Sequence, residues 1–401
     1  MTISTPLRRS AAAIATLQLI LVGSLLVLRW RDWLSTPSLF QDLRVYRDGA
    51  NALLSGSDLY VARTSGHGQL VFTYPPFAAA VFAFLAVVSW PVAAAAMLLL
   101  SGLSYFAFTG ALAQQLRWSR RASLAAALIG LLAEPVLRTV QQGQINLVLA
   151  ALVVLDAFIL PARLRGVLTG LVAGVKLIPA VFVLYYVARR DWPAAARATV
   201  TGAATIAIMW MIAPTSSQHY WTVLLLDPTR SGGGGYPDNQ SLAGVAARIL
   251  HNDQPSILIT LPLQVAALLL AYLVARRLVA RHQEVGALTA VAVGGLLASP
   301  VSWSHHWIWA IPMVIVLIDQ GRRITAALCG GAFVIAPLTL SPLGWLHDTP
   351  RPLWILATLI MPLTGLAWLT RMGHAPSGPG QAKVGPTSVS ERVRRRQSTP
   401  V

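Results

Sequence analysis

The residues best suited to chemistry stand in short polar segments set among long apolar runs: 41–60, 72–77, 141–146, 227–242 and 299–307. Asp42 leads the first of them, in QDLRVYRDGANALLSGSDLY. A carboxylate close to lipid headgroups is expensive to desolvate, so it needs a purpose or a partner. Partial burial would raise its pKa, which suits a general base. Pairing with Arg44 or Arg47 is the plainer alternative. Asp48 and Asp58 compete for the same role, although Asp58, in GSDLY, has more of a turn residue about it.

The other segments supply neutral polarity, cations and aromatic faces. EPVLRTVQQGQINLVLA sets Gln141, Gln142, Gln144 and Asn146 where one span ends and the next begins. Amides donate and accept hydrogen bonds without charge, which is what holding sugar hydroxyls requires. A polar connecting loop would carry the same residues. Gly143 allows a tight turn there. Lys176, in GVKLIPA, is an intramembrane cation that could hold a phosphate or snorkel to headgroups, and Arg138 is a second candidate for that phosphate. In LVFTYPPFAAA, Pro75 and Pro76 set the chain direction, while Tyr74 and Phe77 suit an aromatic headgroup belt or the way in for a lipid. SPVSWSHHWIWAIP is the most informative stretch. His305 and His306 are adjacent at a helix mouth, with Trp303, Trp307 and Trp309 around them. Trp faces stack on sugars and also favour interfaces. Successive helical residues point about 100° apart, so one His is expected in the site and the other in packing. The spacing does not match the His-Glu-x-x-His pattern of zinc helices, and no metal centre is expected.

The elements that carry these segments follow from composition. Of 401 residues, 55% are hydrophobic and 11% are charged, against roughly 25% charged in a soluble domain. Such a chain cannot cover a globular surface with water-loving groups, so lipid is its solvent. The net charge of +17 could suggest nucleic acid, but the arginines sit in clusters between apolar runs, the positive-inside pattern. No nucleic-acid partner is expected. Cys329 is the one cysteine, which excludes an internal disulfide.

The apolar runs predict an all-α polytopic membrane protein of about 12 transmembrane helices, near 11–29, 91–113, 122–137, 144–161, 165–177, 178–189, 195–213, 256–275, 285–300, 306–319, 324–341 and 353–370. The first follows Arg8 and Arg9 and reads as a retained helix, not a cleaved signal. Residues 77–89 read as a helix lying at the outer interface, within a first outer loop of about residues 30–90. A second long outer loop covers about 214–255. With the N-terminus inside, roughly 21 of the 31 Lys and Arg residues fall on the inner side. The polar segments then all fall outside. Residues 1–373 form one transmembrane domain, and 374–401, rich in Pro, Gly, Ser and Arg, form a disordered basic cytoplasmic tail. No Gly-rich phosphate loop or Walker signature is present, so a nucleotide-sugar donor is not expected.

Taken together, DLRVYRDGA, FTYPPFAA, EP-x-x-R with GQINLVL, GVKLIPA, NQSLAG with Arg248, and SPVSWSHHW resemble the actinobacterial polyprenol-phosphate-mannose-dependent α-(1→2)-mannosyltransferases of glycosyltransferase family 87. The pieces run in order over residues 42 to 309. The resemblance implies a GT-C glycosyltransferase fold with the site on the extracytoplasmic side of the plasma membrane, and the charge pattern puts both termini on the cytoplasmic side. It implies transfer of mannose from a polyprenyl-phosphate-mannose donor to a mannosylated lipid or lipoglycan acceptor, such as phosphatidylinositol mannoside, lipomannan or lipoarabinomannan, with no cofactor. Asp42 matches the catalytic aspartate. His305 and His306 match donor-site histidines, to which Lys176, Arg138 and Tyr74 add a donor-binding group. Gln142, Gln144, Asn146, Asn239, Gln240 and Trp303 are the expected acceptor and sugar contacts. Arg44 and Arg47, flanking Val45, depart from the pattern and bear on acceptor preference. Arabinose transfer, which would go with loss of the SW-S-HHW signature, a lipid-linked sugar flippase or transporter, and a non-catalytic envelope scaffold are the rivals. A transporter would line a path across the membrane with polar residues; a scaffold would tolerate alanine at Asp42 and His306.

Overall fold

The computed structural model describes residues 39–61, 70–227, 234–340 and 358–374. The expected first span and the tail beyond His374 lie outside the described residues, as do parts of both long loops. Within them the fold is helical throughout, and no strand forms; Asn239 and Trp303 make an isolated antiparallel bridge.

Helices begin where the sequence offers proline or a capping oxygen. Pro76, Pro91, Pro135, Pro193 and Pro214 each stand in a first turn, where the missing N–H costs nothing. Ser119, Asp191, Ser241 and Ser256 accept hydrogen bonds from the N–H groups that the next helix leaves open. Among the described residues, three helices are long and apolar enough to cross a membrane unaided: Trp90–Gln115, Trp192–Ile212 and Ile257–Ala280. A fourth crossing is available if Arg120–Gly130 and Glu134–Gln142, bent by 67°, count as one span. The expectation of about 12 spans is thus not matched by 12 unbroken helices among the described residues. Most of the other predicted runs are present as shorter apolar helices, including Asn146–Phe158, Val183–Arg189, Glu284–Ala298 and Ala310–Asp319. At about 1.5 Å per residue these fall short of a ~30 Å hydrocarbon layer. The breaks have local causes. Lys176 adopts extended angles at the end of helix Val167–Val175, and a 3₁₀ turn, Ile178–Phe182, built on Pro179 follows. The run after Pro76 is helical in two pieces, Pro76–Val81 and Ala83–Val87.

Glu284–Ala298 is buried on nearly every face from Val285 to Leu297, the signature of a central helix. It packs closely against Ile257–Ala280, which exposes Leu258, Leu269 and Leu273 on its outer side. Val167–Val175 lies equally close to Trp192–Ile212. Gly166, Gly170 and Gly174, spaced four apart, form a flat ridge there; a Cβ on Gly170 would collide with the backbone of Ala198 and Gly202. This close approach sets where Lys176 emerges. Gly170→Ile should therefore push the helices apart, lowering the unfolding temperature by the equivalent of about 1–3 kcal/mol. Wild-type thermal stability in detergent would contradict that packing.

Candidate active site

The site is assembled around the start of helix Gln41–Leu54. Phe40 precedes it in the left-handed region, φ 56°, and donates its N–H to the Gln141 carbonyl at 2.8 Å. That bond pins the helix start to the end of Glu134–Gln142. Gly143 closes the latter with φ 65°, and a side chain there would strike Leu43 and Phe40. The turn thereby brings Gln142 and Gln144 to Asp42, which lies in the first helical turn, where the helix dipole favours a carboxylate.

Gln144 donates its Nε2 to Asp42 Oδ2 at 2.6 Å and to the Tyr74 hydroxyl at 3.0 Å. Its Oε1 accepts from the Tyr46 hydroxyl at 2.5 Å. The two tyrosine oxygens are 3.2 Å apart. Gln142, with its amide nitrogen toward the carboxylate, the orientation that satisfies both its ends, donates to the same Asp42 Oδ2 at 2.8 Å and accepts from Arg138 Nε at 3.1 Å. Both amides therefore hold one carboxylate oxygen. The other, Oδ1, makes no hydrogen bond to the described residues. Asp42 does not pair with its neighbouring arginines: Arg44 lies over the Trp90 ring at 4.2 Å, and Arg47 donates to the Val88 carbonyl at 2.9 Å. Burial pushes the Asp42 pKa up; the Gln144 hydrogen bond and the charges of Lys176 and Arg138 oppose the shift without cancelling it.

A second group meets the first through Tyr74, whose ring lies 5.5 Å from Lys176 Nζ. Lys176 donates to Asn146 Oδ1 at 2.8 Å and stands 2.9 Å from His306 Nε2. With Lys176 as the donor, His306 Nε2 is the acceptor and its proton lies on Nδ1. That Nδ1 is buried without a partner, as is His305 Nε2. The two rings are 4.7 Å apart and nearly perpendicular, at 86°. His306 turns to Lys176. His305 instead offers its backbone carbonyl to Asn146 Nδ2 at 3.0 Å and to the Thr139 hydroxyl at 3.1 Å. Lys176, His306 and Asn146 stand along one side of a cleft otherwise lined by apolar residues such as Leu149, Phe182 and Leu296.

A third group is built differently from what the residue types suggest. Asn239 is fully buried and spends its amide on the chain itself: Oδ1 accepts from Ser302 N–H at 3.0 Å and from the Ser241 hydroxyl at 2.9 Å, and Nδ2 donates to the Gly234 carbonyl at 3.0 Å. Gln240 N–H donates to the Ser302 carbonyl at 2.7 Å and its Nε2 to the Pro237 carbonyl at 2.6 Å. The Asn239 amide and the Gln240 backbone thus staple two loops together, the Gln240 side chain bonds within its own loop, and neither amide is hydrogen-bonded to Asp42. Trp303, on the stapled loop, keeps part of its ring exposed and meets Tyr236 edge-on at 5.9 Å.

Three residues join the site that sequence reasoning did not assign. Tyr46 stands one helical turn after Asp42, on the same face, a spacing that could have found it. Asp238 pairs with Arg138 at 3.1 Å. Burial raises the Asp238 pKa and Arg138 counters it. Glu134 is buried and accepts from the Ser304 hydroxyl at 2.8 Å, joining the turn before the histidines to the helix that carries Arg138. Asp58 accepts from the N–H of Tyr60 at 3.0 Å, as a turn residue does, and faces His219 at 3.1 Å. Among the described residues no three His, Cys, Asp or Glu side chains gather as a metal would need. If Asn239 is a staple, Asn239→Ala should cost about 1–3 kcal/mol of stability through orphaned backbone groups. A variant that unfolds like the wild type but binds acceptor poorly would reverse that assignment.

The model of glycosyltransferase family 87 matches residues 72–300 of this chain, more than half of it. Two curated relatives come from Mycolicibacterium smegmatis. One, a polyprenol-phosphate-mannose-dependent alpha-(1-2)-phosphatidylinositol mannoside mannosyltransferase, is 35% identical over 378 residues, covering 84% of each chain. The other, the corresponding phosphatidylinositol pentamannoside mannosyltransferase, is 33% identical over 348 residues, 83% of each chain. A relative of the first kind from Mycobacterium tuberculosis is 33% identical over 342 residues, 78% of this chain and 79% of that one. The solved structure of ArnT from Cupriavidus metallidurans bound to undecaprenyl phosphate aligns over 90% of this chain and 78% of its own, with 16% identity and a TM-score of 0.33, a likeness too slight to establish a shared fold. On the family match and on identity sustained over most of its length, the chain is a member of glycosyltransferase family 87.

Proposed function

We propose that this protein is an inverting α-(1→2)-mannosyltransferase, moving mannose from polyprenyl-phosphate-mannose to a mannosylated lipid or lipoglycan, phosphatidylinositol mannoside first among them. The observation that carries the reading is the state of Asp42. Two amides fix its Oδ2, while Oδ1 stays without a hydrogen bond beside a cationic, cleft-lined group.

In this mechanism Asp42 Oδ1 takes the proton of an acceptor hydroxyl. The acceptor oxygen bonds to the anomeric carbon of the donor as the bond from that carbon to the phosphate oxygen breaks, and polyprenyl phosphate leaves with the electron pair. One direct displacement inverts the centre and needs one base, with no second carboxylate as nucleophile. Lys176 and the Nδ1–H of His306 face the negative charge that grows on the leaving phosphate. The cleft beyond them is apolar, as an isoprenoid chain requires. Gln142 and Gln144 hold the base by its other oxygen, and Trp303 offers the acceptor a ring for stacking. We place the site on the extracytoplasmic face of the plasma membrane, within a GT-C arrangement of helices and with cytoplasmic termini.

Purified protein incubated with radiolabelled polyprenyl-phosphate-mannose should label a phosphatidylinositol mannoside with an α-(1→2)-linked residue. Label that moves across the bilayer of proteoliposomes without transfer would instead mean a transporter. A general base contributes roughly 10²–10⁴-fold, so Asp42→Asn should lose at least about a hundredfold in kcat. The working form of Asp42 is ionised and burial raises its pKa, so the rate should climb with pH through an acid limb above the usual ~3.9. The same shift makes ionisation a burden on the fold: stability is greatest below the unfolded pKa and is lost as pH rises through the folded one. Asp42→Asn should therefore unfold at pH 7 no earlier than the wild type, a combination that a purely structural carboxylate would not produce. Reporter fusions after Gln144 and after His306 should both read out on the extracytoplasmic side; opposite sides would rule out a shared site.

A further inference from the structure

Away from the Asp42 site, an open cavity is lined by Arg190, Arg276, Trp192, Tyr272 and Val187. It lies where helix Val183–Arg189 ends, where Trp192–Ile212 begins and in the closing turns of Ile257–Ala280. Two of those helices are long enough to span a membrane. A cavity at their ends therefore sits at headgroup depth. It belongs to the opposite end of the bundle from Asp42. The other end of Trp192–Ile212 leads into Pro214–Thr222, whose His219 meets Asp58 on the loop after the Asp42 helix.

Four other arginines at this end have partners within the chain. Arg165 pairs with Asp191 at 3.3 Å and Arg189 with Glu284 at 3.7 Å. Arg197 donates to the Arg165 carbonyl at 2.8 Å, and Arg277 to that of Gly373 at 3.2 Å. Asp191, next to Arg190 in sequence, is taken up by Arg165 and by the N–H of Ala194. Arg190 and Arg276 differ: neither guanidinium has a carboxylate or carbonyl partner among the described residues. Arg276 lies over the Tyr272 ring at 6.0 Å, and the backbone of Arg190 is held in the left-handed region at φ 60°. Two uncompensated guanidiniums from distant stretches of sequence thus converge on one cavity. A fork of donors matches phosphate geometry. Trp192, 61% exposed, is the kind of ring that settles among headgroups. From Arg276 an exposed apolar stripe, Leu273, Leu269 and Val265, runs at helical spacing along Ile257–Ala280, where an acyl chain would lie.

We infer that this cavity is a binding site for the phosphate headgroup of an anionic phospholipid, with an acyl chain along the Leu273–Leu269–Val265 stripe. The site is separate from the transfer chemistry, and its ligand is a resident lipid of the leaflet facing that end.

The test uses full-length protein in detergent, cleared of native lipid and titrated with phosphatidylglycerol, with phosphatidylcholine or with inorganic phosphate. Bound lipid is counted by native mass spectrometry. Wild-type protein should retain phosphatidylglycerol over phosphatidylcholine. Arg190→Gln and Arg276→Gln should each weaken retention roughly fivefold, in keeping with the usual contribution of one basic residue at an anionic surface. Arg117→Gln, an exposed arginine outside the cavity, should not. Each variant's unfolding temperature without added lipid establishes that it is folded, and Arg→Lys versions serve where a glutamine variant is not. Equal retention by the double variant, or no preference over phosphatidylcholine, would overturn the inference. Displacement of phosphatidylglycerol by equimolar inorganic phosphate would overturn it in favour of a free anion.

Discussion

A primary amide offers two donors and one strong acceptor, and Gln144 spends all of them on three side chains at once. Asp42, Tyr74 and Tyr46 come from elements far apart in sequence, and they meet because one amide can satisfy each of them. Tyr74 accepts from Gln144 and donates onward to Tyr46, so the chain of bonds closes without a surplus proton. In a medium of low dielectric such a network is stiff, because breaking any member leaves a buried polar group unpaired. The carboxylate is thereby held by one oxygen and left open at the other. The arrangement of helices around it can be understood as what is needed to bring that amide into place: the φ-positive turn at Gly143, the bond from Phe40 to Gln141 and the stapled loops beneath the histidines.

The cation that faces this carboxylate is positioned by a separate device. Asn146 starts one short helix and Lys176 ends the next, and the two side chains touch at 2.8 Å. About 15 Å away, at the far ends of the same two helices, Asp156 is wholly buried and accepts five hydrogen bonds. They come from the N–H groups of Gly166, Leu168 and Thr169, the Thr169 hydroxyl and the Tyr186 hydroxyl. One carboxylate thus caps a helix that is not its own and ties two helices at one end, so that their polar residues meet at the other. The glycine ridge on Val167–Val175 completes the setting by bringing Trp192–Ile212 hard against it.

The short helices are part of this logic. A site inside a membrane protein needs backbone that departs from regular helix, and such backbone is tolerated only where protein or a water-filled cavity surrounds it. The extended residue at Lys176, the 3₁₀ turns on either side of the cleft and the left-handed caps at Phe40 and Gly143 cluster at the polar centre. The candidate site accordingly sits at the interruptions.

Some of this was legible from residue types alone. A carboxylate, a lysine and two histidines in a chain with so little charge are costly to bury, so their presence in apolar surroundings marks a site without any coordinates. The order of the motifs identified the family, and the apolar runs located most of the helices. The partner of each amide was not legible. Gln144 and Asn239 are both amides in polar segments, yet one serves the carboxylate and the other serves the backbone. Residue type states what a side chain can donate or accept; only the packing of distant segments decides what stands within three ångströms of it. Tyr46 went unassigned for the same reason, since a tyrosine in an amphipathic helix is ordinary until its hydroxyl is seen to close a network. That Lys176 meets His306 while Arg138 meets Asp238 is likewise a matter of tertiary contacts. Composition determines where a chain prefers to be, because desolvation acts on each residue singly. Hydrogen-bond partnership is a pairwise property, and it exists only once the chain has folded.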